Sequence, residues 1–118
     1  AAEQLRLARQ STLLVNVTND AWFGDSTAPH QHLDISRMRS LETGRPMLRA
    51  TNDGITALIA HDGRLLATLP QFQAGVLTGV IEPRAGMTPY MRLGNFAVLA
   101  LVGAGLLAGS GRLHRLRR

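Results

Sequence analysis

A chain of 118 residues holds one domain at most, and its formal charge of +5 would point to nucleic acid if the cations were spread along it. All 13 basic residues are arginine, however, and Arg112, Arg115, Arg117 and Arg118 crowd the end, so the remainder is nearly neutral and offers no clustered cations to phosphates. With neither cysteine nor lysine, the chain supplies no disulfide, thiolate nucleophile, cysteine-ligated zinc or amine-based catalysis.

Ala1-Ala2-Glu3 has no initiator methionine and no signal-peptide pattern, so the chain is expected to begin inside something longer. Residues 1 to 10, with Leu5 and Leu7 among polar neighbours, read as the end of a helix entering a turn. Thr12 to Val17 is a short apolar run with β-branched residues, which suits a strand covered on both faces. Thr18 to Ala28 is dense in Asn, Asp, Gly, Ser and Thr and should form a loop at that strand's C-terminal end.

Pro29 fits a first helical turn and Gly44 a C-cap, which predicts a helix from about His30 to Thr43 carrying a stripe of Leu33, Met38 and Leu41. Pro46 to Ala50 reads as a strand, Thr51 to Gly54 as a turn and Ile55 to Ala60 as a further strand. Asp62-Gly63 then predicts a tight hairpin into Leu65 to Leu69, and Gly75 to Ile81 is expected to add another strand. The order is that of an α/β domain with open sheet edges and one bare face.

Between Arg92 and Arg112 lie nineteen uncharged residues, about 28 Å as a helix against a hydrocarbon core of about 30 Å, which predicts a membrane span. The basic tail would stay cytosolic and put the preceding domain on the far side. Asn95 and several glycines make this a marginal solitary anchor, and Gly105-x-x-x-Gly109 offers a flat face to another helix.

Chemistry-bearing groups are few. His30, His32 and Asp34 invite a metal, but His32 points away from the other two on a helix, so a solvated helix start is the simpler reading. Ser26, a histidine and Asp20 could be drawn as a triad, yet no nucleophile elbow surrounds the serine, and a turn or capping role is expected. Asn19-Asp20-Ala21-Trp22-Phe23-Gly24 is the informative stretch: two large rings in a polar loop either plug the loop onto the core or line a site for an apolar ligand.

NVTNDAWFG at Asn16 to Gly24, PHQH at Pro29 to His32, RMRSLETGRPMLRATNDGIT at Arg37 to Thr56 and TPYMRLGN at Thr88 to Asn95 together resemble the bacterial apolipoprotein N-acyltransferase family of the nitrilase-like superfamily, in its C-terminal portion. The resemblance implies the C-terminal part of a nitrilase-like α-β-β-α sandwich over residues 1–83, a linker over 84–92, a transmembrane helix over 93–111 and a basic cytosolic tail over 112–118. Such enzymes pass an acyl chain from a phospholipid to a cysteine thioester and then to the α-amine of a diacylglyceryl-cysteine lipoprotein, without a cofactor. The family's glutamate, lysine and cysteine would lie upstream, so this chain alone is expected to be inactive and to need the upstream part of the same enzyme.

The same resemblance implies that Asn19, Asp20, Trp22, Phe23 and Gly24 border the acyl site at a periplasm-facing domain of the inner membrane. Arg45, Arg49, Asn52 and Asp53 are expected first as buried or hydrogen-bonded supports. Two rival readings are a membrane-anchored amidase of the same superfamily and a non-catalytic, membrane-tethered interaction module.

Overall fold

The computed structural model describes the backbone of residues 6–115 and the side chains of residues 6–109, so the start of the first expected helix and the basic tail beyond Arg115 lie outside the described residues. The elements are β1 (Leu14–Asn19), a 3-10 turn (Ala21–Phe23), α1 (Ala28–Thr43), β2 (Met47–Asn52), β3 (Thr56–Ile59), β4 (Leu65–Leu69), α2 (Pro89–Leu93) and α3 (Phe96–Arg115). They form a mixed α/β structure around one four-stranded sheet in the order β1-β2-β3-β4.

β1 and β2 are parallel, joined by α1 as their crossover, with Asn16 beside Arg49 and Thr18 beside Thr51. β2–β3 and β3–β4 are antiparallel. The Asp-Gly hairpin forms as expected: Gly63 takes φ 81°, and the Asp62 carboxylate accepts the Arg64 backbone N–H at 3.1 Å. Leu33 of α1 packs on Met47, Ile55, Ala57 and Ile59 in the main apolar cluster, where each fully buried side chain contributes roughly 1.5–3 kcal/mol.

α1 keeps its expected ends, with Pro29 in the first turn and Gly44 in the left-handed conformation at the C-cap. Its buried face differs from the expected Leu33, Met38, Leu41 stripe. Pro29, Leu33, Ser36, Ser40 and Thr43 face inward, while Met38 and Leu41 are half exposed beside the Gly63 turn. The cause is polar: the Arg49 guanidinium lies under α1 and requires a hydroxyl, which Ser36 provides at 3.0 Å.

Gly75 to Ile81 is not a strand. The segment crosses the second face of the sheet, with Gly75 against the Leu69 side chain and Gly79 against that of Leu58, while Val76 and Val80 point to solvent. A strand needs a neighbour's backbone edge, and here the glycines rest on side chains instead. This segment covers only the β3–β4 half of that face. Across β1, Val15 is 65% and Val17 78% exposed, so this strand is bare on one face and not covered on both as its apolar run suggests; the expected bare face is here, and β1 is an open edge.

The C-terminal part of the described chain is tied to the sheet through buried Arg45. Its Nε donates to the Ser11 carbonyl at 2.7 Å, and Nη2 to that of Gly86 at 2.7 Å. The stretch expected as a linker carries α2, whose N-cap Thr88 donates its hydroxyl to the Glu42 carbonyl and accepts the Met91 N–H.

The expected membrane span over 93–111 requires correction. Gly94, at φ 54°, ends α2 and separates it from α3, so the helix restarts at Phe96 and its uncharged part, to Gly111, is about 24 Å long. That falls short of a hydrocarbon core of about 30 Å, and its four glycines and four alanines dilute the remaining apolar length. Among the described residues no helix is long and apolar enough to cross a membrane.

Candidate functional site

Strand β1 delivers Asn16 and Thr18 to the face beneath α1 and ends on Asp20, whose backbone N–H donates to the Asn52 carbonyl at 3.1 Å. The Asp20 side chain turns inward and is only 1% exposed. Its Oδ2 accepts from Arg49 Nη2 at 2.8 Å, and its Oδ1 lies 3.0 Å from His32 Nδ1 and 3.3 Å from the Thr18 hydroxyl. Because an ionised carboxylate accepts only, Nδ1 carries the hydrogen of this bond, and the imidazole's Nε2 is left as its other polar atom.

Arg49 is the centre of the network. It is 3% exposed and donates to the Asn16 amide oxygen at 2.5 Å, the Ser36 hydroxyl at 3.0 Å and the Ile55 carbonyl at 3.3 Å, besides Asp20. Burial pulls the guanidinium below its ordinary pKa, and the charge of Asp20 and the hydrogen bond to it pull the other way. A buried cation of this kind is tolerable only with its donors matched, which explains why an asparagine and a serine occupy inward positions of an otherwise apolar strand and helix face.

Gly54 completes the arrangement. A Cβ there would collide with the Asp20 carboxylate and stand 2.9 Å from Thr51 Oγ1, so the β2–β3 turn must offer bare backbone to let the acid in. The preceding Asp53 takes φ 58°, a left-handed conformation that aspartate accepts in tight turns.

Outside this buried network lies the aromatic loop. Asn19 makes an Asx turn with the Ala21 N–H at 3.1 Å, and the 3-10 turn follows. Trp22 is 87% exposed; Phe23 is partly exposed and meets the His32 ring edge-on, with centroids 5.0 Å apart and planes at 87°. Gly24 takes φ 50°, and its carbonyl accepts from Gln71 Nε2 at 2.9 Å. Beside the loop, an open groove of about 500 Å³ runs over the C-terminal halves of β1 and β2, lined by Val17, Thr18, Asn19, Ala50, Thr51 and Asn52. Sites in α/β folds collect at this end of parallel strands.

The residues singled out in the sequence therefore separate into two groups. Asn19, Trp22, Phe23 and Gly24 lie on the exposed loop, whereas Asp20 faces away from the groove into the core. Trp22 does not plug the loop onto the core. Arg45 and Arg49 are buried supports, as expected, while Asn52 and Asp53 are exposed. Ser26 accepts the Ala28 N–H at 3.3 Å just ahead of α1, whose N-cap is Thr27, and so has the turn role.

His32 departs from the solvated helix start expected of it, being bonded to Asp20, while Asp34 pairs with Arg37 at 3.0 Å and His30 is exposed. Asn16 and Ser36 were also missed. The available signal was a polar residue inside the apolar run LLVNV, which predicts a buried partner.

Comparison with known proteins shows the family. Residues 2–90 match the carbon-nitrogen hydrolase family model. The chain is 57% identical over 101 residues to an apolipoprotein N-acyltransferase of Nitrosomonas europaea, covering 86% of this chain and 20% of the relative. It is 51% identical over 118 residues to that of Ralstonia nicotianae, covering 100% and 22%, and 54% identical over 99 residues to that of Methylococcus capsulatus, covering 84% and 20%. The chain spans about a fifth of the length of the curated relatives it matches. With a family match across roughly three quarters of its length, the chain belongs to the carbon-nitrogen hydrolase family.

Proposed function

We propose that this chain is the C-terminal portion of an apolipoprotein N-acyltransferase, which moves an acyl chain from a phospholipid, through a cysteine thioester, to the α-amine of a diacylglyceryl-cysteine lipoprotein. The observation that carries the reading is 51% identity over the full chain to a relative of that name. In the first step a thiolate attacks the phospholipid's ester carbonyl and the lysophospholipid leaves. In the second the lipoprotein's free amine attacks the thioester and the thiolate leaves. The chain has no cysteine or lysine, so it contributes binding surface and support to chemistry carried upstream.

In this reading Trp22 and Phe23 border the acyl path, with Asn19 and Gly24 shaping the loop and Asp20 anchoring it from below. The exposed Val15 and Val17 and the free edge of β1 are covered by the upstream part of the same enzyme, completing a nitrilase-like sandwich. The apolar side chains around α3, among them Phe96, Leu99 and Leu101, are exposed and suit packing against other helices of the longer protein. Such an enzyme works at the bacterial inner membrane with this domain toward the periplasm, where its lipid and lipoprotein substrates meet.

The test is acyl transfer by the full-length protein to a synthetic diacylglyceryl-cysteine peptide, read by mass spectrometry as the gain of one acyl chain. Trp22→Ala should lower the rate about tenfold while leaving thermal stability unchanged, because so exposed a ring contributes little to folding. Hydrolysis of simple amides without acyl gain would overturn the reading in favour of an amidase. An unaltered rate in Trp22→Ala would remove the tryptophan from the acyl path.

A further inference from the structure

The aromatic loop is thinly held. Within the 3-10 turn the backbone bonds are Phe23 N–H to the Asp20 carbonyl at 3.1 Å and Gly24 N–H to that of Ala21 at 3.4 Å, and every residue from Ala21 to Thr27 is exposed. Asn19 fixes the loop's start and Gln71 its end. Among the described residues, the aromatic partner of the Phe23 ring is His32, on the body of the domain.

His32 in turn is not required to hold α1 on the sheet, since Pro29, Leu33, Ser36, Ser40 and Thr43 form that buried face. Its imidazole bridges two regimes. Nδ1 bonds a carboxylate that Arg49 fixes in the core, and its ring lies against an aromatic at the surface. A ring held at one edge by a charge-assisted bond has a set orientation, and a T-shaped neighbour takes its own orientation from it.

We propose that His32 is a positioning residue: through Phe23 it sets how the Trp22–Phe23 loop is presented to the acyl donor. The proposal rests on the acyltransferase reading for its kinetic consequence, and on geometry alone for the placement of the loop. His32 sets the population of the loop conformation that receives the apolar substrate, and takes no part in bond making.

The experiment uses the full-length enzyme and three variants, His32→Ala, His32→Asn and His32→Phe. Asn keeps an N–H for Asp20 and loses the ring; Phe keeps a ring and loses the bond. With a phospholipid of one defined acyl chain in detergent micelles as donor, His32→Ala should raise KM on the order of tenfold and change kcat less than about twofold. His32→Asn and His32→Phe should each restore part of the KM. Hydrogen exchange gives a readout independent of activity: in His32→Ala the amides of residues 21–24 should exchange about tenfold faster, with those of 47–59 unchanged.

A fall in kcat at constant KM would overturn the proposal and make the imidazole a participant in proton transfer. Faster exchange across the strands as well would reduce His32 to a fold residue, and unchanged exchange in the loop would sink the proposal outright. If the wild-type enzyme transfers no acyl chain, the acyltransferase reading fails, while the exchange comparison still decides the positioning role.

Discussion

Replacing Asp20 by Asn keeps the shape of the side chain and removes one charge from the interior. Arg49 then sits 3% exposed with three neutral acceptors, Asn16 Oδ1, Ser36 Oγ and the Ile55 carbonyl, and no counter-charge. Removing one partner of a buried pair costs about 3–5 kcal/mol, and the surviving acceptors put this case near the lower end, about 3 kcal/mol. For a domain of ordinary size that corresponds to a fall in Tm of roughly 6–12 °C. Thermal unfolding of the full-length protein, followed by circular dichroism, measures it. The double variant Asp20→Asn/Arg49→Met should lie well above the sum of the two single losses, because no charge is then stranded. A fall of under about 2 °C for Asp20→Asn, with additive losses in the cycle, would refute the claim that this pair organises the strand end.

Two other predictions concern the turns. Gly54→Ala should destabilise the protein by about 2 kcal/mol, because its methyl group displaces an acid that Arg49 and His32 both hold; a Tm equal to wild type would show that Asp20 moves freely. The Asp62 carboxyl should titrate below its ordinary 3.8, first because of the hydrogen bond from Arg64 Nε and then that from the Arg64 backbone. A native value below the unfolded one means a contribution present above the ordinary range and lost as pH falls through the native value. Arg64→Gln should bring the midpoint back up, read from the carboxyl carbon by NMR, and an unmoved midpoint would remove Arg64 as the cause.

What could be read from the sequence was what local chemistry decides. Asp62-Gly63 demands a tight turn and Gly44 a left-handed cap, and each is where it was expected, while the polar loop after β1 forms but starts at Asp20, since Thr18 and Asn19 belong to the strand. What could not be read depended on partners far along the chain. Ser36 looks like a solvent-facing helix residue until Arg49, on the next strand, is placed beneath it. Gly75 to Ile81 has the β-branched content of a strand, but a strand is defined by a neighbouring edge that composition does not reveal. The histidine bonded to Asp20 was missed because helical periodicity describes the backbone, whereas its imidazole answers to a loop twelve residues earlier.

The two buried arginines differ in the kind of oxygen they grip. Arg49 leans on a charged carboxylate, whereas Arg45 leans on the carbonyls of Ser11, Thr43 and Gly86. Peptide oxygens are neutral, so losing one acceptor there strands no counter-charge. The two fastenings should therefore fail separately. A substitution that strips the charge from Asp20 loosens the strand end under the aromatic loop, while the segment from Gly86 to Thr88 stays fastened through Arg45 and the Glu42 carbonyl, so that the domain frays from the loop's end and keeps hold of the helices that follow.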